Sequence, residues 1–155
     1  MPRLVLLGGP PGIGKSTVIK DPQLNKYICL EADQICPPRR SGYRSEVIST
    51  IVSAVDRKLS AGRTVILAWV FARSALYQPF IDHFPPKFQI QQIYLVCEPK
   101  VLQEKLHGRN TPELSKYALV KLNLIEALPF DKIDTTDMAA RDVARALRSA
   151  IQSNA

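Results

Sequence analysis

Residues 8–17 read GGPPGIGKST and directly follow the apolar run Leu4–Leu7. Four glycines and two prolines fill six of the first seven positions, and such residues interrupt helices and strands. Lys15, Ser16 and Thr17 come next, at the point where a helix can begin. We therefore predict a buried strand, a tight loop that turns its backbone amides to one side, and a helix that starts at Lys15.

The same loop matches a phosphate-binding pattern. Gly9 through Ser16 fit G-x-x-x-x-G-K-[ST] at every fixed position. In this pattern successive N–H groups surround phosphate oxygens, the lysine reaches the β- and γ-phosphates, and the hydroxyl binds Mg²⁺. We predict bound ATP and Mg²⁺, with Ser16 as the metal ligand; a Gly/Pro turn with a chance lysine is the alternative. The predicted nucleotide-binding residues are Gly9, Pro10, Pro11, Gly12, Ile13, Gly14, Lys15, Ser16 and Thr17.

Length and composition limit the class of protein. The chain has 155 residues, of which 46% are hydrophobic, so we expect one domain over residues 1–155 with its own core. No apolar run approaches the ~20 residues that cross a bilayer, and the N-terminal run lacks a signal-peptide pattern, so we predict a cytoplasmic protein without membrane contact.

The net charge of +7 favours anionic partners such as nucleotides or nucleic acid. Cys29 and Cys97 lie in apolar runs and are expected to be buried thiols.

Apolar runs alternate with helical patterns along the chain. The predicted strands are Leu4–Leu7, Tyr27–Leu30, Thr64–Ala68, Ile90–Cys97 and Phe130–Ile133. The predicted helices are Lys15–Lys20, Ser45 to about Ser60, Ser74–Phe84, Pro99 to about His107, Glu113–Ala127 and about Met138–Ile151. Because strands alternate with helices and most strands are apolar throughout, we predict an α/β domain whose parallel sheet is covered on both faces.

The phosphate-binding loop and this order of elements resemble the nucleoside-monophosphate-kinase-like family of P-loop kinases. That family includes shikimate, gluconate, chloramphenicol and polynucleotide 5′-hydroxyl kinases. The resemblance implies a three-layer α/β/α P-loop NTPase with a five-stranded parallel sheet in the order 2-3-1-4-5. It also implies transfer of the γ-phosphate of ATP to a hydroxyl group and a short lid at about residues 108–114. Element order carries the resemblance over the whole chain, while GGPPGIGKST is its specific motif.

Two acidic residues follow the second predicted strand, in the stretch LEADQI. Glu31 and Asp33 lie two positions apart, so in an extended segment their side chains face the same way. A kinase needs a polar centre opposite the γ-phosphate, at the carboxyl ends of the parallel strands. The resemblance implies that Asp33 is the general base and binds the acceptor, and that Glu31 makes an indirect contact to Mg²⁺ or water on the substrate side. Capping or turn acids at a strand end are the alternative.

Four further residues lie where the family resemblance implies contacts to substrate or phosphate. Arg44 opens a helix soon after the acidic pair and matches an arginine that holds an anionic substrate group. Trp69 and Arg73, after the third strand, are candidates for the acceptor pocket, with plain packing as the alternative for Trp69. Arg109 matches the lid arginine that clamps the transferring phosphate near the adenine. Since no acid follows the third strand, Mg²⁺ is expected to depend mainly on Ser16, phosphates and water.

The leading functional hypothesis is an ATP-dependent kinase that phosphorylates a hydroxyl group of a small molecule. A polynucleotide 5′-hydroxyl kinase is one alternative, favoured by the basic charge and by Asp33. A nucleotide-binding ATPase or switch without an acceptor is another, because the acid after the third strand is missing.

The cluster Asp134–Asp137 is a candidate for contacts to the adenine edge, and helix capping is its alternative.

Overall fold

The computed structural model describes residues 2–37, 44–84, 86–107 and 112–154. Its strands are β1 (Arg3–Gly8), β2 (Ile28–Glu31), β3 (Val65–Ala68), β4 (Gln89–Val96) and β5 (Asp131–Asp134). Its helices are α1 (Lys15–Ile19), α2 (Ala32–Ile35), α3 (Arg44–Ser60), α4 (Ser74–His83), α5 (Pro99–Leu106), α6 (Pro112–Glu126) and α7 (Ala140–Ser153). A 3₁₀ turn covers Pro22–Leu24.

The five strands form one parallel sheet in the order β2-β3-β1-β4-β5. The predicted α/β class and the strand order 2-3-1-4-5 are therefore confirmed. Every residue of the central strand β1 is buried, so the sheet is covered on both of its faces there. Because the strands run parallel, the segments that leave β1, β2 and β3 meet at one edge of the sheet.

Arg3 is a buried charge in β1, and no sequence motif indicates it. Its guanidinium donates to the backbone oxygens of Ile151 and Asn154, both at 2.7 Å. Gln91 in β4 adds a bond from its side-chain nitrogen to the backbone oxygen of Ala150, at 3.0 Å. These donors bond to carbonyls of Ala150 and Ile151 in the last turn of α7 and of Asn154, which follows it, and so attach α7 to the sheet.

The stretch after β2 differs from its prediction. Residues Ala32–Ile35 form the one-turn helix α2, whereas the prediction is an extended segment through Glu31 and Asp33. Such short elements are too brief for periodicity to distinguish a strand end from a helical turn. Cys97 is buried as predicted, but Cys29 is only partly buried because β2 is an outer strand of the sheet.

The region of the predicted lid is described only in part. Residues 108–111 lie outside the described residues, and α6 already begins at Pro112. The opposite outer strand, β5, exposes the charged side chains of Asp131, Lys132 and Asp134, a composition that discourages pairing with another chain. Across the described ranges of the chain, each helix is too short or too polar to cross a bilayer.

Candidate active site

The loop between β1 and α1 is shaped by glycines. Gly12 and Gly14 have φ angles of +84° and +107°, a left-handed region that other residues rarely adopt. Gly12 also has no room for a side chain, because a Cβ there would lie 2.3 Å from Cδ2 of Leu106 in α5. Within the described residues, no side chain caps α1 and no acid lies in its first turn. Its backbone N–H groups are therefore available to an anion.

Lys15, the first residue of α1, folds back over this loop. Its Nζ donates to the backbone oxygens of Gly9 at 2.7 Å and of Pro10 at 3.0 Å. Burial lowers the pKa of Lys15 from 10.5 to about 8, and the carboxylates of Asp33 and Glu31 partly oppose that shift. A phosphate would offer the ammonium a full negative charge in place of two carbonyl dipoles. Lys15 can thus exchange its hydrogen bonds to the two loop carbonyls for bonds to an anionic ligand.

The two predicted acids lie across from the loop. Glu31 ends β2 and Asp33 lies in the first turn of α2, so the pair is not extended as predicted. The Ser16 hydroxyl donates a hydrogen bond to Oε1 of Glu31. A hydroxyl and a carboxylate that meet in this way are oxygen ligands of the kind that Mg²⁺ takes.

A cavity of about 280 Å³ brings the two sides together. One wall is the phosphate-binding loop with the start of α1, a second is the acidic pair, and the third is residues 68–70 at the end of β3. The predicted site residues that line it are Pro11, Gly12, Gly14, Lys15, Ser16, Thr17, Glu31, Asp33 and Trp69. The other predicted loop residues, Gly9, Pro10 and Ile13, are buried beneath this surface.

The predicted arginines have different positions. Arg73 is exposed just before α4 and is not among the described residues that line the cavity. Arg44 is the first residue of α3, but its side chain lies outside the described part of the structure. Arg109 lies wholly outside the described residues. Their proposed contacts to substrate or phosphate therefore stay predictions.

A second cavity, of about 290 Å³, lies on another side of the loop. Its lining includes Gly12, Thr17, Lys105, Met138 and Val143. Lys105 in α5 donates from its Nζ to the backbone oxygen of Ile13, at 3.4 Å. No sequence pattern indicates Lys105 or Met138 as site residues, because neither belongs to a motif and only the fold brings them to the loop.

The acidic cluster after β5 forms bonds within its own turn. Oδ1 of Asp134 accepts from the Thr136 hydroxyl at 2.6 Å and from the Thr136 amide at 3.0 Å. These two bonds hold the pKa of the Asp134 carboxyl below its ordinary value. Thr135, which is buried, donates from its hydroxyl to the backbone oxygen of Val96 at 3.1 Å. The described contacts of Asp134 lie within the turn, and no side chain of this cluster caps α7, whose N-cap residue is Ala139. The contact to the adenine edge stays a prediction, and the turn leads directly to Met138.

Comparison with known proteins agrees with the architecture. A family model described as an AAA domain matches residues 4–128, and no curated protein matches the sequence. The tunicamycin resistance protein of Deinococcus radiodurans superposes with a TM-score of 0.74 at 17% identity, over 97% of this chain and 96% of that one. A gluconokinase from Sinorhizobium meliloti 1021 gives 0.68 at 19% identity, over 93% and 88%. A shikimate kinase from Acinetobacter baumannii in complex with shikimate gives 0.63 at 20% identity, over 99% and 95%.

Proposed function

The chain belongs to the AAA-domain family, and from that premise we propose that it is an ATP-dependent kinase that moves the γ-phosphate of ATP to a hydroxyl group of a small molecule. The observation that carries the proposal is the cavity in which Lys15 and Ser16 lie across from Glu31, Asp33 and Trp69. It joins a phosphate-binding loop to a carboxylate that can orient an acceptor hydroxyl, as phosphoryl transfer requires, and it adds an aromatic wall. Gluconokinase and shikimate kinase structures that share this fold support a hydroxyl acceptor.

The donor half of the proposed site is the loop with its neighbouring cavity. The triphosphate lies along Gly9–Thr17, and the Lys15 ammonium leaves the carbonyls of Gly9 and Pro10 to bind phosphate oxygens. The nucleoside extends into the second cavity, beside Lys105 and Met138. Arg109 is the proposed phosphate clamp, carried by a short lid at about residues 108–114 of a single domain.

ATP affinity is expected to fall as the pH rises above about 8. In the free protein the pKa of Lys15 is about 8, because burial disfavours its charged form. Bound phosphate favours the ammonium, so the pKa in the complex is higher, and ATP must bind with uptake of a proton above pH 8. Between these two pKa values affinity should drop about tenfold for each pH unit, which calorimetric titrations can measure.

A Lys15→Arg variant is the control for this pH dependence. Its guanidinium stays charged throughout the range, so whatever affinity it retains should not change between about pH 8 and pH 10. The terminal phosphate of ATP titrates below this range and does not contribute. Wild-type affinity that is constant from about pH 8 to pH 10 would contradict the role given to Lys15.

Ser16 and Glu31 are proposed to hold Mg²⁺ together with the phosphate oxygens. The hydroxyl of Ser16 and the carboxylate of Glu31 already meet in the structure, and both supply the hard oxygen ligands that this ion prefers. When bound, the ion neutralises charge on the transferring phosphoryl group. Glu31 would thereby supply, from the end of β2, the acid that is missing from residues 69–73 after β3.

Replacing Glu31 by glutamine should weaken the effect of Mg²⁺ on ATP binding. The amide keeps the size of the side chain and can still accept the Ser16 hydrogen bond, but it removes the negative charge. The gain in ATP affinity on adding Mg²⁺ is expected to shrink about tenfold, a typical cost of losing a supporting ligand at a metal site. Titrations with and without Mg²⁺ measure this gain, and Glu98→Gln, an exposed glutamate just before α5, is the matched control. An undiminished gain in Glu31→Gln would exclude this metal assignment.

Asp33 is the proposed base of the acceptor half. Its carboxylate takes the proton of the acceptor hydroxyl while the hydroxyl oxygen bonds to the γ-phosphorus and the bond from that phosphorus to the ADP oxygen breaks. Trp69 offers a flat apolar wall suited to a ring-bearing acceptor. Arg44 and Arg73 remain the proposed contacts for an anionic group of that acceptor.

Acceptor-dependent ADP formation tests the proposed function. The protein with ATP and Mg²⁺ is offered nucleosides, aminoglycoside and phenicol antibiotics, sugar acids and 5′-hydroxyl oligonucleotides in separate reactions. ADP formation that rises with one of the small molecules supports the proposal. A rise with oligonucleotides alone would favour the polynucleotide kinase instead, and ADP formation that no acceptor changes would leave an ATPase.

A further inference from the structure

The phosphate-binding pattern begins at Gly9 and gives no reason for the preceding glycine. Gly8 lies opposite Tyr94 in the register between β1 and β4. A Cβ on Gly8 would lie 2.2 Å from Cε1 and 2.3 Å from Cδ1 of the Tyr94 ring, closer than carbon atoms approach. The missing side chain therefore leaves room for the Tyr94 ring, which crosses the end of β1 just before the phosphate-binding loop.

The Tyr94 ring ends in a hydroxyl with two partners. It donates to the backbone oxygen of Phe71 at 2.9 Å, in a buried position, and it accepts from Nε2 of Gln92 at 3.2 Å. Phe130 stacks on the same ring with a centroid distance of 5.9 Å and an interplanar angle of 19°. A tyrosine of β4 thus reaches over β1 and holds the segment that follows β3.

That segment has an unusual backbone. Phe71 has a φ of +48° and is the only non-glycine residue with a left-handed backbone among those that the structure describes. Its side chain is fully buried. Such a conformation persists only where surrounding contacts hold it, and it is found most often at functional sites. Two backbone bonds also tie the segment to β1 and the loop: Trp69 N–H to the Leu7 oxygen at 3.1 Å, and Gly9 N–H to the Val70 oxygen at 3.3 Å.

We propose that Tyr94 is a positioning residue for the acceptor side: its hydroxyl holds the backbone of Phe71 so that Trp69 forms the third wall of the cavity. The Trp69 and Phe71 rings meet edge to face at 5.7 Å, so a change in the Phe71 backbone is transmitted to Trp69. Tyr94 does not line the cavity and acts only through this segment. The link to acceptor binding rests on the proposed kinase function, but the link from Tyr94 to Trp69 does not.

Tyr94→Phe tests this proposal because it removes the hydroxyl and keeps the ring. Trp69 is the one tryptophan in the chain, so its fluorescence reports on this wall alone. Losing a buried hydrogen bond shifts the population of the held conformer roughly tenfold, so we expect quenching of Trp69 by acrylamide to increase about twofold or more. ATP affinity should stay within about twofold of wild type, since the loop amides and Lys15 are untouched.

Tyr77→Phe is the matched control. Tyr77 is also buried and its ring packs against Phe130 at 5.4 Å, but its hydroxyl has no hydrogen bond to the 69–73 segment among the described contacts. Equal quenching in Tyr94→Phe and Tyr77→Phe would overturn the proposal whether or not the protein is a kinase. Once an acceptor is identified, Tyr94→Phe should raise its KM about tenfold while kcat changes less, a split that general destabilisation does not produce.

A second variant keeps the test decisive if Tyr94→Phe does not fold. Gln92→Leu removes the donor that occupies the oxygen of Tyr94 and leaves its hydrogen directed at Phe71. Gln92 is only half-buried, so its loss is tolerated more readily. Because the bond from Tyr94 to Phe71 stays in place, Trp69 quenching in Gln92→Leu should equal that of wild type. A twofold or larger increase in quenching would show that Trp69 is held through Gln92 and not through the bond from Tyr94 to Phe71, and would reject the positioning role.

Discussion

Lys15→Ala is expected to weaken ATP binding at least about 100-fold, or about 3 kcal/mol, because the charge-assisted bonds from its ammonium to phosphate are lost. The fold should survive, since the substitution removes a charge whose burial lowers its pKa to about 8 and therefore carries a cost in the free protein. Calorimetry or displacement of a fluorescent ATP analogue measures the loss, and circular dichroism checks the fold.

Lys20→Ala is the control for that measurement. Lys20 follows α1 directly, is exposed, and carries the same charge, with no side-chain bond to the loop among the described contacts. Its ATP affinity should lie within about twofold of wild type, as expected for a screened surface charge. Tight ATP binding in Lys15→Ala, or an equal loss in the two variants, would mean that GGPPGIGKST does not bind the triphosphate as described.

Asp33→Asn is expected to lower kcat by about 10²–10⁴, the contribution that a positioned general base makes. The amide keeps the shape of the side chain but cannot take the acceptor's proton. ATP affinity near pH 7 should be equal or slightly tighter, because a negative charge close to the phosphate site is removed. The measurement is acceptor-dependent turnover with ATP binding in parallel.

Asp131→Asn provides the comparison for Asp33→Asn. Asp131 is exposed at the start of β5, at the opposite end of the strands from the cavity, and its turnover should match wild type. If Asp33→Asn turns over at the wild-type rate, the base is another group. If Asp33→Asn hydrolyses ATP at the wild-type rate and no acceptor changes that rate, the acceptor half has been assigned wrongly.

The range over which residues interact decides how much could be predicted from the sequence. The loop and the start of α1 at Lys15 depend on neighbours within ten positions, so GGPPGIGKST was sufficient to predict them. The strand order 2-3-1-4-5 is confirmed, but it came from the family resemblance and not from the strands themselves. The prediction that LEADQI is extended through Asp33 is wrong, because Ala32–Ile35 form a single helical turn and one turn leaves no periodic signal in the sequence.

Features that depend on register between distant strands could not be predicted. The Tyr94 ring fits over Gly8 only because β1 and β4 pair with those two residues opposite each other. Lys105 and Met138 reach the phosphate-binding loop from elements that follow it by about ninety residues or more, and neither carries a motif. Gly9 in GGPPGIGKST is therefore explained by the phosphate-binding pattern in the sequence, whereas Gly8 is explained only by the folded chain.

Transfer of radioactive label from γ-labelled ATP tests the central claim most directly. Wild type, Lys15→Ala and Asp33→Asn are incubated with the acceptor that raises ADP formation, and the products are separated. The account predicts that label moves to the acceptor in wild type, and that transfer is lost in Lys15→Ala and reduced at least about 100-fold in Asp33→Asn. Label found only in inorganic phosphate, at equal rates in wild type and Asp33→Asn, would contradict it.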